Sequence, residues 1–304
     1  MKKYLLIFIS AMLLWSCEET DLLDETGILE ITDFNLPAIE GYNYQGWLLV
    51  GGTYVSVGTF NIDSINNNRA RFSNIETSDL ALAEAFAITI ENASSPAPSN
   101  YVLLVGDFDG NTANLVTNAT TSNGVSSLGS KISASYTLQN ATVPADQTDE
   151  YPGNNGIWFF KGSGAQAEST ISLEYGEIRY QAWLSTILEG APKYVNMGII
   201  TSDSIRDLSN IYTSYTTNIP DFAGEDFIVQ PSGESFPQGF FPRKVTLPGT
   251  KVIITPIITG YANHTAPFPI FLLEGTIPEG ATNDPNVTYN MELNTTYKAK
   301  ATKL

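Results

Sequence analysis

Ala97-Pro-Ser-Asn-Tyr-Val-Leu-Leu-Val-Gly106 is nearly copied 169 residues later by Ala266-Pro-Phe-Pro-Ile-Phe-Leu-Leu-Glu-Gly275. The echo continues upstream, where Tyr44-Gln45-Gly46-Trp47-Leu48 is answered by Tyr180-Gln181-Ala182-Trp183-Leu184. Gly58-Thr-Phe-Asn-Ile-Asp63-Ser64-Ile65 is answered by Gly198-Ile-Ile-Thr-Ser-Asp203-Ser204-Ile205. Three blocks repeated in one order indicate a duplicated module.

Around these blocks lie short runs rich in Val, Ile, Thr, Tyr and Phe, bounded by Gly, Asn, Pro and Ser. Examples are Ile28–Ile31, Trp47–Val50, Ala87–Ile90, Tyr101–Val105, Gly156–Phe160, Ile178–Leu184, Val252–Thr255 and Pro269–Leu273. That composition and length predict strands. Only Asp79–Phe86 has a helical pattern, two turns at most. The fold class is therefore all-β, and modules of this size predict two tandem antiparallel β-sandwich domains. Trp47 and Trp183, at equivalent repeat positions inside strands, are expected in the cores. The expected domains are 27–119 and 133–304. Residues 120–132 between them are rich in Thr, Ser, Asn and Gly and read as a flexible linker. A Pro- and Gly-rich insertion, Pro220–Pro242, is peculiar to the second copy.

The N-terminus reads as an address. Lys2 and Lys3 precede an apolar run, Tyr4–Trp15, too short to span a bilayer as a helix. The run ends in Leu14-Trp15-Ser16-Cys17, which resembles a lipobox. Residues 1–16 are then a lipoprotein signal peptide and Cys17 the lipidation site, and the resemblance implies two or three acyl chains, enough for a firm tether. Cys17 is the only cysteine, so no internal disulfide can form. Residues 17–26, with Glu18, Glu19, Asp21, Asp24 and Glu25, form an acidic tether. This leash resembles the export tags that carry lipoproteins to the outer face of the outer membrane, so a cell-outer-membrane location facing the exterior is expected.

The formal net charge is −17; removing residues 1–16 takes away two lysines and no acid, leaving 13 basic against 32 acidic residues, a net −19. Such a surface repels phosphate backbones, so nucleic acid is excluded as a partner.

The series Tyr44-x-Gly46-Trp47-Leu48, Gly58-Thr-Phe60, Phe86-Ala-Ile-Thr-Ile-Glu91, Pro96-x-Pro-Ser99 and the Leu103-Leu-x-Gly106 ending resembles the extracytoplasmic C-terminal domain of anti-sigma-K factors. The likeness covers residues 27–119 best and 156–294 more loosely. In the second copy Ala182 replaces Gly46, and Thr255-Pro256 follows the strand where the first copy has Glu91. The resemblance implies a compact exported β-module without known catalysis. It does not imply regulation, which would require a cytoplasmic helical domain and a transmembrane helix.

Reactive groups are sparse. The lone His264 sits in the turn-like Asn263-His264-Thr265 and reads as a surface histidine, so no catalytic residue and no cofactor are assigned. The acidic pairs Asp107/Asp109 and Glu225/Asp226 read as exposed turn acids. Asp107-Phe-Asp109-Gly110-Asn111 alternates oxygen ligands and is a candidate calcium loop, although a plain hairpin turn is the favoured reading. Ser64 and Ser204, in matching Asp-Ser-Ile triplets, are candidate O-glycosylation sites. Trp158, Tyr151, Tyr212, Tyr215, Phe240 and Phe241 lie nearer loops and are the candidate ligand-facing rings. The expectation is a non-enzymatic, lipid-anchored envelope protein that presents two modules for interaction or adhesion to a surface protein or glycan. The alternative is a glycan-binding accessory lipoprotein of a polysaccharide-uptake system.

Overall fold

The structure, a computed structural model, describes residues 26–304 except 66–67, 94, 145, 147–153, 214, 216–218, 234, 259–260 and 262–264. The signal peptide, Cys17 and nearly all of the tether lie outside the described residues, as do Tyr151 and His264.

The described chain is nearly all β, as the alternation predicts. In the first half it runs β1 (Thr26–Thr32), β2 (Asn43–Val50), β3 (Thr53–Phe60), β4 (Arg69–Glu76), α1 (Thr77–Leu82), β5 (Ala85–Glu91), β6 (Val102–Asp109) and β7 (Thr112–Val116). The second half opens with β8 (Ser133–Leu138), β9 (Gly156–Trp158), β10 (Phe160–Lys161), β11 (Glu168–Ser169) and β12 (Ile171–Ser172). It continues with β13 (Arg179–Leu188), β14 (Ala191–Ile200), β15 (Gly224–Asp226), β16 (Lys251–Ile257), β17 (Leu273–Thr276), β18 (Thr288–Asn290), β19 (Glu292–Leu293) and β20 (Lys298–Lys303). The helix is shorter than its pattern: it buries Leu80 alone, ends at Ala83, and yields Ala85 and Phe86 to β5.

Two blocks of four strands share one plan. The orders β3-β2-β5-β6 and β14-β13-β16-β17 correspond strand for strand to the matched sequence blocks. Even the irregularities coincide. The register slips between Gly46 and Trp47 opposite Gly58, and between Ala182 and Trp183 opposite Gly198. Gly58 and Gly198 hold φ of 129° and 112°, a backbone state that glycine reaches without a steric penalty. Each block also ties its tryptophan to a buried threonine across the sheet. Trp47 Nε1 donates to Thr89 Oγ1 at 2.8 Å and Trp183 Nε1 to Thr255 Oγ1 at 3.2 Å. A Cβ on Gly46 would lie 2.7 Å from the Phe86 ring, whereas the second copy accommodates Ala182. Trp47→Phe and Trp183→Phe, which keep most of the bulk but remove the indole donor to a buried hydroxyl, are each expected to cost about 1–3 kcal/mol in urea unfolding.

The halves differ in how the plan is completed. In the second, β14-β13-β16-β17-β19 faces a smaller sheet, β12-β8-β9-β15, to which β18 is added through β8. In the first, a single eight-stranded sheet, β3-β2-β5-β6-β7-β20-β1-β4, curls until its edges meet, with Phe60 on β3 and Phe72 on β4 at 6.2 Å between centroids. The boundary expected at residues 120–132 therefore does not divide the sheets, because β20 pairs antiparallel with both β1 and β7. The segment Lys298–Lys303, Lys-Ala-Lys-Ala-Thr-Lys, is an interior strand with backbone ladders on both sides, and only its Ala299 and Ala301 are buried.

A continuous core runs from Leu29 and Ile31 through Phe86, Tyr136 and Ile254 to Ala301, joining both halves. Tyr42 of the first half meets Phe268 of the second edge-on at 6.1 Å. Every residue of β5 is buried because its second face carries a satellite cluster of Trp47, Leu49, Ala85, Ala87 and Val105, roofed by Tyr54, Ala119 and Val125. Part of that roof belongs to the expected linker, which is not a loose tether. Thr121 N donates to Val125 O at 2.8 Å, Ser127 Oγ to Thr117 O at 2.7 Å, and Leu128 is buried. The hydroxyls that suggested flexibility instead close short-range turns.

Candidate functional site

The groove between the halves collects aromatic, apolar and charged side chains, and a relay of buried hydrogen bonds builds its first wall. Trp47 donates to Thr89, and Thr89 Oγ1 donates to Glu91 Oε1 at 2.6 Å. The same Glu91 oxygen accepts Ser99 N at 2.8 Å, while Ser99 Oγ donates to Ile90 O. The buried Gln45 amide grips Ser95 in both directions, Nε2 to its carbonyl at 2.9 Å and its amide to Oε1 at 3.1 Å. The loop between β5 and β6 is thereby fixed. It presents Asn100, whose Nδ2 reaches Glu177 Oε2 of the second half at 2.5 Å. Beside it Tyr101 OH donates to Ile257 O at 2.6 Å.

This bridge separates two hollows. One, of about 390 Å³, is lined by Tyr54, Val125, Leu128, Tyr175, Glu174 and Lys131 among others. The other, of about 860 Å³, includes Ser99, Tyr101, Arg179 and Tyr261. Both are in the size range of small-ligand sites. Tyr54 is half-buried and edge-on to Trp47 at 6.1 Å; Tyr175 is half-buried, with its hydroxyl on Asp203 Oδ1. Burial raises both phenols, and the Asp203 carboxylate raises Tyr175 further, so they stay protonated donors. Lys131 Nζ pairs with Glu174 Oε1 at 3.1 Å on the rim. The groove therefore offers ring faces, an apolar floor and both signs of charge.

The residues singled out in sequence fall elsewhere. Asp107, Asp109 and Asn111 belong to the β6–β7 hairpin, whose Gly110 has φ of 59°. Both Asp107 oxygens accept Ser122 N at 3.0 Å, so this carboxylate pins a loop. Among the described residues no three His, Cys, Asp or Glu side chains converge as a metal would require. Ser204 is exposed in a turn held by Asp203, which accepts Tyr175 OH and Leu173 N; Ser64 closes a short 3-10 turn, Ile62–Ser64. Of the ring candidates, Trp158, Tyr212 and Phe240 are buried, and Tyr215 and Phe241 half-buried. Tyr212 stacks on Phe241 at 5.5 Å and Phe240 on Phe236 at 4.9 Å, so the insertion folds its rings onto one another. All three tryptophans among the described residues are buried.

Glu225 and Asp226 need the largest correction. They are not turn acids; both have zero exposure. Strand alternation sends them to opposite faces of β15. Asp226 accepts Trp158 Nε1 at 2.7 Å, Thr142 N at 2.8 Å and Thr142 Oγ1 at 2.6 Å, and burial still raises its pKa. Glu225 pairs in register with the core residue Ile157; no side chain among the described residues bonds its carboxyl, and the Asp226 and Tyr212 backbone N–H groups offset its burial only in part. Burial first, then the neighbouring Asp207 and Asp226, push its carboxyl up to about 9. Nothing in the local sequence marks these acids as buried.

No family model, no curated protein and no solved structure matches this chain. No helix among the described residues is long and apolar enough to cross a membrane.

Proposed function

We propose that the protein is a non-enzymatic lipoprotein of the cell envelope. Acyl chains on Cys17 hold it to the outer membrane facing the exterior, and the groove between its halves takes part in interaction or adhesion. The module likeness to the anti-sigma-K C-terminal domain belongs to the same proposal, as does O-glycosylation at Ser64 and Ser204. The observation that carries the reading is the Asn100–Glu177 bridge with its two hollows. The chain spends a relay of buried groups on positioning this loop, and exposes there a mixed surface suited to recognition. Other acids, such as Asp107, Asp203 and Asp226, are committed to holding loops. The glycan-binding alternative has less support: with the described tryptophans buried, it would depend on the half-buried Tyr54 and Tyr175.

The test pairs location with binding. Cys17→Ser is expected to move the protein from the membrane fraction to the soluble fraction. Protein from Gly27 onward, displayed on beads, is expected to adhere to surface proteins of neighbouring cells, and Tyr54→Ala with Glu177→Ala to weaken this at least tenfold. Retained membrane attachment would refute the anchor. Binding on a glycan array that the same pair abolishes would move the assignment to the alternative.

A further inference from the structure

From Cys17 onward the chain has 13 basic residues against 32 acidic ones, yet four of the 13 stand together on one sheet face. Leu29, Ile31, Ala70, Ala113, Ala299 and Ala301 point into the core, so the alternate residues of β7, β20, β1 and β4 point outward. The registers set them in two rows across the four strands: Asn114, Lys300, Thr32 and Arg69, then Thr112, Thr302, Glu30 and Arg71. Lys298 extends the face opposite Val116. Two acids lie among these cations. Glu30 is buried, 2.9 Å from Arg71 Nη1 and 3.6 Å from Arg69 Nε, and holds both guanidiniums to the sheet while they stay half-exposed. The other, Asp33, is exposed in the turn after β1. Among the described residues neither Lys298 nor Lys300 is in an ion pair. Together with Asn68, Asn114, Asp33 and Phe34, the two lysines line a hollow of about 440 Å³.

The place of this face in the fold sets what it can meet. In the curled eight-stranded sheet, β20 and β1 stand opposite β2 and β5. The outer side of β2 and β5 carries Trp47, Ala85 and Ala87 under Tyr54 and Val125, which line the smaller hollow of the groove. The basic face and that hollow therefore look in opposite directions. Nine residues, Cys17–Glu25, separate the proposed anchor from the start of β1, a reach of at most about 30 Å. Since β1 runs through the middle of the basic face, that face lies within reach of the bilayer.

We propose that the outer face of β20, β1 and β4 seats the protein on the phosphate head groups of the leaflet that holds its anchor, with Lys298 and Lys300 taking a phosphate in their hollow and Arg69 and Arg71 beside it, so that the Tyr54 side of the groove is turned away from the membrane. The inference rests on the lipid anchor at Cys17. Charge complementarity selects this face over every other. Across a Debye length of about 8 Å, contact is decided by the charges that face the bilayer. The remainder of the exported chain, with nine basic residues against 30 acidic ones, is repelled from an anionic plane in any other orientation.

The test couples residues 17–304 through the thiol of Cys17, the only cysteine, to maleimide-bearing lipid in vesicles, which sets the tether whether or not cells acylate it. Acetylation of each lysine is then followed by mass spectrometry on vesicles of phosphatidylcholine alone and of phosphatidylcholine with phosphatidylglycerol. A basic residue at an anionic surface gains about fivefold in partition, so Lys298 and Lys300 are expected to react at least about fivefold more slowly on the anionic vesicles. Lys131, in the groove, is expected to react equally on both. High salt is expected to abolish the difference in the unaltered protein. Lys298→Glu, at an exposed side chain, is expected to abolish it at Lys300. Equal rates for Lys298 and Lys300 on the two vesicles, protection that persists in high salt or in Lys298→Glu, or slowing at Lys131 instead would each overturn the seating. None of these results bears on the anchor, which the membrane fractionation of Cys17→Ser decides separately.

Discussion

Ending the chain at Tyr297 is expected to abolish the folded first half, although only the seven residues Lys298–Leu304, three of them lysines, are removed. β20 is registered with β1 over four residue pairs and with β7 over five. Without it, β1 and β4 are severed from the remaining five strands of the sheet, and two interior edges lose their ladders together. Unpaired backbone groups in a buried setting cost about 1–3 kcal/mol each, so the total exceeds the roughly 5–15 kcal/mol that holds a domain together. Lys303 adds side-chain anchors that would also go, Nζ to Ala83 O at 2.8 Å and Nζ over the Phe108 ring at 4.0 Å. Far- and near-ultraviolet circular dichroism at 25 °C should show the loss. Leu304→Ser, at a side chain 61% exposed, should change the urea midpoint by no more than about 0.5 kcal/mol equivalent. A truncated chain with native spectra would show that the ladder of β20 is dispensable.

The second large effect is expected at Asp226. Asp226→Ala removes the acceptor of three buried donors: the Trp158 indole, the Thr142 amide and the Thr142 hydroxyl. The hydroxyl keeps Thr213 Oγ1 at 2.8 Å, but the indole and the amide are left without partners. A loss of about 3–5 kcal/mol in urea unfolding follows, with Asp226→Asn intermediate because one amide oxygen survives as acceptor. The adjacent acid should respond in the opposite sense above neutral pH, since Glu225→Gln removes a group whose charged form burial disfavours and which no side chain among the described residues bonds. Two neighbouring carboxyls with opposite mutational signs are the mark of a strand whose faces meet different surroundings. A cost below about 1 kcal/mol for Asp226→Ala would mean that these donors find water instead.

Strand alternation and the repeat made much of the fold legible in advance, for a physical reason. Trp47, Thr89, Gly58 and their counterparts Trp183, Thr255 and Gly198 do their work within a four-strand unit, so the same local chemistry recurs wherever that unit does. What stayed hidden depends on partners far away in sequence. Asp226 is 84 residues from Thr142, and β20 is about 270 from β1, so neither the buried acid nor the interior lysine-rich strand leaves a local signature. Residues 120–132 have a linker's composition yet hold short turns, because Thr121 and Ser127 are as useful for closing turns as for staying solvated. The groove was missed because its residues, Tyr54, Asn100, Tyr175 and Glu177, come from separate loops and strand edges, and no single stretch contains the site. The ring candidates lie near loops, but Phe240 and Phe241 of the insertion pack on each other, and Tyr212 stacks on Phe241.

The continuous core and the returning C-terminal strand make the two repeat-bearing halves one folding body. Scanning calorimetry of residues 27–304 at pH 6 tests this most directly. A single transition whose calorimetric and van't Hoff enthalpies agree is the expected result. Two separable transitions, each with the enthalpy of one half, would contradict it.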